Sequence, residues 1–122
     1  MKKRSFHMAA LALSLLALGG FHQGVSAQAF PNKALKVVVP QPPGGGFDFV
    51  GRLMADRLAK QLGQPVVVEN RPGSGTLVGT DAVAKAAPDG YTLLVGSVSN
   101  LAINPGLYRN LPYDSLRGLA LA

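Results

Sequence analysis

The chain contains no cysteine and no tryptophan, and both of its histidines, His7 and His22, lie close to the N-terminus. Without cysteine there are no disulfides and no Cys-based zinc sites, so the fold depends on its core alone. Beyond residue 22 no imidazole is available as a general base or as a metal ligand. The composition therefore excludes histidine catalysis and metal sites built from Cys or His in this part of the chain. Because the Gly-rich loop described below also carries no nucleophile and no metal-ligand cluster, we predict no catalytic residue, no metal ion and no other cofactor.

The apolar run at residues 8–18 is too short to span a membrane, which takes ~20 residues. It lies between a basic start and a small-x-small pattern, formed by Lys2, Lys3 and Arg4 and by Val25, Ser26 and Ala27. This order is typical of a secretory signal peptide. We expect residues 1–27 to direct export and to be cleaved after Ala27, with a buried N-terminal helix as the alternative.

Positive charge exceeds negative charge, with 12 Lys and Arg against 6 Asp and Glu. Half of this excess belongs to the predicted signal peptide. The remaining cations are scattered among acidic residues and are not interleaved with aromatic side chains. Nucleic-acid binding favours a clustered basic patch with aromatic residues for stacking, so we expect no nucleic-acid partner.

The most informative segment is an apolar strand followed by a Gly-rich loop and a helix. The apolar run at residues 35–39 ends at Pro40, glycines occupy residues 44–46, and Asp48 is the predicted N-cap of a helix reaching Leu62. Such a junction directs unpaired N–H groups and the positive end of a helix dipole at one point, which suits a carboxylate or a phosphate. The alternative is that the glycines only permit a tight turn.

Several side chains in the Gly-rich loop and in the later loops have both a possible chemical role and a purely structural one. The loop is no nucleotide-binding motif, because Phe49 stands where the dinucleotide fingerprint needs glycine and no Gly-Lys-Ser/Thr follows. Asp48 could be a general base or a metal ligand, but no second carboxylate lies nearby in the sequence, which favours its role as an N-cap. Ser97 and Ser99 could act as nucleophiles, but no base lies nearby in the sequence. We therefore favour a role for their hydroxyls in hydrogen bonding. Arg71 is either a clamp for a ligand carboxylate or a solvated loop charge.

Strands and helices alternate along the rest of the chain. Strands are predicted at residues 35–39, 66–69 and 91–95, and helices at 48–62, 77–86 and within 101–108. This order predicts an α/β fold with a parallel sheet and flanking helices. Small or polar loops at residues 44–47, 70–75 and 96–99 would then share the carboxyl edge of the sheet, where ligands bind. The first helix should bury the apolar residues that recur at helical spacing, Val50, Leu53, Met54, Leu58 and Leu62.

Nearly the whole chain after the leader resembles the tripartite tricarboxylate transporter receptors, also called the Bug family of periplasmic solute-binding proteins. The resemblance rests on the Pro42-Pro43-Gly44-Gly45 motif with Asp48, Arg52 and Leu53, and on longer stretches in the same order. These stretches are residues 31–33, 38–40, 62–73, 82–94, 103–105, 107–108 and 111–114.

The resemblance implies a two-lobed periplasmic receptor that captures a small carboxylate or related metabolite for the permease subunits of a membrane transporter. We expect no enzymatic activity and a monomer. The family's ligand-binding loops correspond here to two segments. The first contains Pro43, Gly44, Gly45, Gly46, Phe47 and Asp48, and the second contains Ser97, Ser99 and Asn100. Amides of the first segment would hold a ligand carboxylate, largely through the backbone and bridging water.

Three departures from the family pattern stand out. Phe47 replaces a small or hydroxylated residue, so its ring could narrow the pocket. Thr76 and Leu77 stand where the family commonly has glycine and a polar residue. Residues 117–122 no longer follow the pattern, so we expect residues 28–122 to be an incomplete N-terminal ligand-binding lobe without the second lobe. An exported α/β hydrolase and a non-functional receptor remnant are the alternative interpretations.

Overall fold

A computed structural model describes residues 29–120, so the predicted signal peptide and its cleavage site lie outside the described residues. Three strands form one parallel sheet: β1 is Leu35–Val39, β2 is Val66–Asn70 and β3 is Thr92–Leu94. The strand order is β2-β1-β3, with β1 in the centre. The predicted parallel α/β fold is confirmed.

Helices connect the strands as the sequence pattern indicates. Helix α1 is Gly46–Leu62, α2 is Leu77–Ala84 and α3 is Asn104–Leu107. Short helical turns precede the last two, a 3₁₀ turn at Ser74–Thr76 and a π-helical turn at Ser99–Ile103. Relative to prediction, α1 begins two residues earlier, while α2 ends two residues earlier. Within residues 29–120, no helix combines the length and the apolar character that crossing a membrane requires.

The central strand is buried on both faces, as its apolar run predicts. Val37 and Val39 point to one face, where they pack in a cluster with Ala55 of α1. Val38 points to the other face and is 2% exposed. Helix α2 contacts the residue that follows this strand, since its Gly79 lies directly against Pro40. Two helices on opposite faces are what right-handed crossovers to either side of β1 require.

Helix α1 turns a different face to the core from the one predicted. The residues it buries are Asp48, Gly51 and Ala55, whereas three of the five expected core residues are about half exposed: Val50 at 44%, Leu53 at 48% and Met54 at 50%. The reason is the close approach of the helix to the sheet. A Cβ atom on Gly51 would lie 2.7 Å from Cγ2 of Val39, so only small residues fit at the contact.

Because all three strands are parallel, the loops that follow them lie at the same edge of the sheet. We call residues 40–45 the first loop, 71–76 the second loop and 95–98 the third loop. Gly79 of α2 packs tightly beneath two of them, since a Cβ there would lie 2.7 Å from the carbonyl oxygen of Arg71 and 2.8 Å from Cα of Pro40. The predicted convergence of the loops at the carboxyl edge is therefore present.

Candidate functional site at the carboxyl edge of the sheet

The first loop delivers the N-terminus of α1 to the centre of this edge. Gly45 is the N-cap, with φ −86° and ψ 174°, and the first helical hydrogen bond runs from the Phe49 N–H to the Gly45 carbonyl at 3.0 Å. The N–H groups of Gly46, Phe47 and Asp48 therefore have no acceptor within the helix. Gly45 has no side chain to cap them. Because α1 begins directly after the first loop, these amides lie at the edge of the sheet together with the positive end of the helix dipole.

Asp48 is not the N-cap that the sequence predicts but the third residue of α1. Its carboxylate reaches back to the first loop, where Oδ2 accepts a hydrogen bond of 2.9 Å from the Gly44 N–H. Gly44 has φ +84°, a conformation that favours glycine. The prediction fails because an acidic residue at the third helical position satisfies a backbone donor before the helix equally well, as in a capping box.

Two side-chain donors complete the surroundings of the Asp48 carboxylate. Arg52 Nε donates to Oδ2 at 3.0 Å and Asn70 Nδ2 donates to Oδ1 at 2.9 Å. The hydrogen bond from Arg52, followed by those from Gly44 and Asn70, lowers the pKa of Asp48 to about 2. Asp48 is 5% exposed, and its carboxylate is ionised at neutral pH, with its charge matched by the Arg52 guanidinium.

Asn70 joins the end of β2 to the first loop. Besides its bond to Asp48, its Nδ2 donates to the Gln41 carbonyl at 3.2 Å, and its Oδ1 accepts from Arg52 Nη2 at 3.4 Å. Sequence analysis did not assign a site role to Asn70 or to Arg52. The four-residue spacing between Asp48 and Arg52 is a signal that indicates a helical ion pair. Asn70 is found only once β2 is known to lie beside β1.

Phe47 lies with its ring turned toward the sheet. It packs against the buried cluster that contains Val37, Val39 and Ala55. The ring thus contributes to the core, and what Phe47 presents at the edge is its backbone N–H. Pro43 and Gly44, the preceding members of the predicted site, are exposed on the first loop.

The third loop is held from below by Asn100. This residue is fully buried, and its Oδ1 accepts from the Ser97 N–H at 2.7 Å and from the Ser97 hydroxyl at 3.2 Å. Its Nδ2 donates to Thr80 Oγ1 of α2 at 3.2 Å. Asn100 therefore lies beneath the edge rather than on it, and Ser97 and Ser99 are the half-buried members of this segment. The Ser97 hydroxyl donates to an amide and not to a base, so nothing here activates it as a nucleophile.

A second buried network joins the second loop to the helical turns that follow the third loop. Asn104 Nδ2 donates to the Gly75 carbonyl at 2.9 Å, and the Tyr113 hydroxyl donates to the Asn100 carbonyl at 2.7 Å. Tyr113 is 7% exposed although it lies outside any helix or strand, and no pattern in the sequence indicated its role. Arg71 of the second loop forms an ion pair with Glu69, which matches the interpretation of Arg71 as a surface charge.

The strand order adds a topological argument for a site here. The chain leaves β1 toward β2 on one side and later returns to place β3 on the other side. The crevice between the carboxyl ends of β1 and β3 is thus a switch point, where ligands bind in open α/β sheets. The first and third loops border it. Within residues 29–120 no group of three His, Cys, Asp or Glu side chains is placed to hold a metal ion.

Comparison with known proteins identifies the family. The model of the tripartite tricarboxylate transporter family receptor matches residues 50–121, more than half of the chain. The chain belongs to this receptor family. The resemblance seen in the sequence is thereby confirmed, and the family is one of binding receptors rather than of enzymes.

Individual relatives agree with this assignment. Protein BugT of Bordetella pertussis is 47% identical over 105 residues, which cover 85% of this chain and 32% of BugT. The structure of MatC from Rhodopseudomonas palustris with bound malate has a TM-score of 0.70 at 40% identity, over 73% of this chain and 30% of MatC. R. palustris Rpa4515 with adipate has a TM-score of 0.69 at 36% identity, over 72% of this chain and 29% of that protein.

The chain spans about a third of the length of the curated relatives it matches. A periplasmic binding protein is among the other matched structures. The described residues thus correspond to one part of such a receptor, the part that contains the first loop and the start of α1.

Proposed function

We propose that this chain acts in a periplasmic receptor that captures small dicarboxylates for the permease subunits of a tripartite tricarboxylate transporter. The observation that carries the proposal is the N-terminus of α1, which begins directly after the first loop and leaves the amides of Gly46, Phe47 and Asp48 without a side-chain cap. Structures of relatives with malate and with adipate support the choice of ligand class. The basic start and the small-x-small pattern of residues 1–27 support export.

The proposed site holds one carboxylate of the ligand by hydrogen bonds from backbone amides. Such bonds to a charged group contribute about 1.5–3 kcal/mol each, and the helix dipole adds about 0.3–1 kcal/mol at an exposed position. The candidate residues are Pro43, Gly44, Gly45, Gly46, Phe47 and Asp48 around the helix start, with Ser97 and Ser99 on the opposite side of the crevice. Asn100, which was also predicted, lies beneath the edge and holds Ser97. Their contact with ligand stays a prediction, as does the monomeric state.

The described residues supply only one wall around this carboxylate, so we expect weak binding by the chain alone. Two or three amide contacts to a solvated carboxylate correspond to a dissociation constant on the order of 1 mM. Affinity in this range is best followed by the amide chemical shifts of Gly46, Phe47 and Asp48 during titration with malate and with adipate.

A substitution at Gly46 tests the amide contact directly. Proline is favoured at the first helical position, and the extended conformation of Gly45 suits a residue before proline. A Cβ at Gly46 meets nothing within 4 Å. Gly46→Pro therefore removes one N–H while the helix start is kept, and Gly46→Ala is the matched control because it retains the N–H.

We expect malate and adipate to shift the amides of Phe47 and Asp48 in the unaltered chain and in Gly46→Ala. In Gly46→Pro the affinity should fall by about tenfold or more. The proposal is wrong if neither ligand shifts these amides at concentrations about tenfold above the expected dissociation constant of about 1 mM. It is also wrong if Gly46→Pro binds as well as Gly46→Ala.

A further inference from the structure

We propose that Asn70, together with Asp48 and Arg52, fixes the first loop in its binding conformation before any ligand arrives. In this inference, which rests on the proposed function, Asn70 is a positioning residue and does not itself touch the ligand. The observation is that Asn70 uses every polar atom of its side chain within one cluster, which spans the end of β2, the first loop and the first turns of α1.

The geometry shows what Asn70 restrains. Its two amide hydrogens divide between the Gln41 carbonyl at 3.2 Å and Asp48 Oδ1 at 2.9 Å. One point lies near the start of the first loop and the other lies beyond its end, so a single side chain tethers both. Asp48 then holds the middle of the loop through the Gly44 N–H at 2.9 Å. The conformation of residues 41–48 is thereby tied to β2, which a loop rich in glycine could not maintain alone.

Arg52 has a distinct part in this cluster. An ionised Asp48 at the start of α1 would oppose an anionic ligand at the same helix end. The Arg52 guanidinium, with Nε 3.0 Å from Asp48 Oδ2, matches that charge. Asp48 can then organise the loop without a net negative charge beneath the ligand. The prearranged amides need no reordering on binding, which lowers the entropic cost of association.

Amide hydrogen exchange at Gly44 tests the inference without any ligand. In the unaltered chain this N–H is protected by its bond to Asp48, and the Val95 N–H, bonded to the Val38 carbonyl at 2.9 Å, reports on the sheet. Asn70→Ala should accelerate exchange at Gly44 by about tenfold or more relative to Val95. Asn110→Ala, at an exposed asparagine, is the matched control and should leave the ratio unchanged.

Asn70→Asp separates hydrogen bonding from mere space filling. The two side chains have nearly the same shape, but a carboxylate cannot donate and would face both Asp48 and the Gln41 carbonyl. We expect Asn70→Asp to accelerate exchange at Gly44 at least as much as Asn70→Ala does. If Asn70→Asp keeps Gly44 as protected as in the unaltered chain, or if Asn70→Ala leaves the Gly44 to Val95 ratio unchanged, the inference is overturned.

Titration with malate and adipate links the cluster to binding. Asn70→Ala and Arg52→Gln should each raise the ligand concentration needed to shift the Gly46 and Phe47 amides by about tenfold, whereas Arg57→Gln on the same helix should not. Faster exchange at Gly44 with unchanged affinity would overturn the positioning role. If the unaltered chain binds neither ligand, the proposed function fails, while the Gly44 exchange still decides whether Asn70 orders the loop.

Discussion

At the scale of single residues, several glycines lie where a side chain would not fit. Gly79 of α2 lies against backbone atoms of two loops, where a Cβ would approach the Arg71 carbonyl oxygen to 2.7 Å and Pro40 Cα to 2.8 Å. Backbone atoms cannot rotate away as a side chain can, so the helix itself would have to move. The loops at the proposed site therefore depend on the absence of one methyl group.

Gly79→Ala should destabilise the protein by about 1–3 kcal/mol because it overpacks the contact between α2 and the loops. Gly106→Ala is the matched control, since a Cβ there meets nothing within 4 Å. In α3 that change should be neutral or stabilising by about 0.4–1 kcal/mol. Urea unfolding of both variants measures the difference, and a Gly79→Ala variant as stable as Gly106→Ala would contradict the packing argument.

The ionisation of Asp48 predicts a dependence of stability on pH. The folded state lowers its pKa to about 2 from an ordinary value of 3.8, so the folded state binds fewer protons at this group than the unfolded state does. The stabilisation is complete above the unfolded pKa and is lost as the pH falls from about 4 through about 2. The stability difference between the unaltered chain and Asp48→Asn should therefore be large at about pH 6 and small at about pH 2.

Urea unfolding at both pH values checks this, with Asp56→Asn as the control. Asp56 forms an exposed pair with Lys60 on the same helix, and its loss should change stability by less than about 1 kcal/mol. A difference between the unaltered chain and Asp48→Asn that stays constant from about pH 6 to about pH 2 would contradict the assigned cluster.

At the scale of elements, helix α1 shows that volume can override hydrophobicity. Its large apolar residues Leu53 and Met54 are about half exposed, while Ala55 is 4% exposed and lies in the core. Judged by residue type alone, Leu53 and Met54 would be assigned to the core. The close approach of Gly51 to Val39 excludes that orientation, because larger side chains would force the helix away from the sheet.

The same substitution at two neighbouring positions of α1 tests this orientation. Ala55→Gln should destabilise the protein by about 2 kcal/mol or more, because it both overpacks the core and buries an amide. Leu53→Gln should lower the free energy of unfolding by about 1 kcal/mol or less, since about half of Leu53 is exposed to solvent. Thermal or urea unfolding that ranks the two variants in the opposite order would show that α1 packs by its apolar face.

At the scale of the whole molecule, the strand order brings the three loops together. With β1 in the centre, the first loop lies between the other two at the carboxyl edge. Asn70 ties it to the end of β2, Asn100 links the third loop to α2, and Asn104 links α3 to the second loop. Two hydrogen-bonded networks on either side of the switch point thus give one ordered edge. Its three loops are far apart in the sequence.

The sequence by itself determined the elements, their parallel arrangement, the family and the position of the Gly-rich loop. Local rules suffice for these, because each signal involves only a few neighbouring residues. The apolar run at residues 35–39 indicates a buried strand, and Gly63 indicates the end of a helix. The helix end at Leu62 and the αL conformation of Gly63 follow that expectation.

Only the tertiary structure decided which face of α1 is buried, what Asp48 binds and which residues order the loops. Each of these depends on distances between segments that the chain does not juxtapose locally. Asn70 acquires its role because β2 pairs with β1 in a particular register, with Val39 opposite Asn70. Tyr113 acquires its role because its hydroxyl reaches the Asn100 carbonyl, 13 residues earlier in the chain. Buried polar groups must find partners wherever the fold places them, and no periodicity in the sequence encodes those pairings.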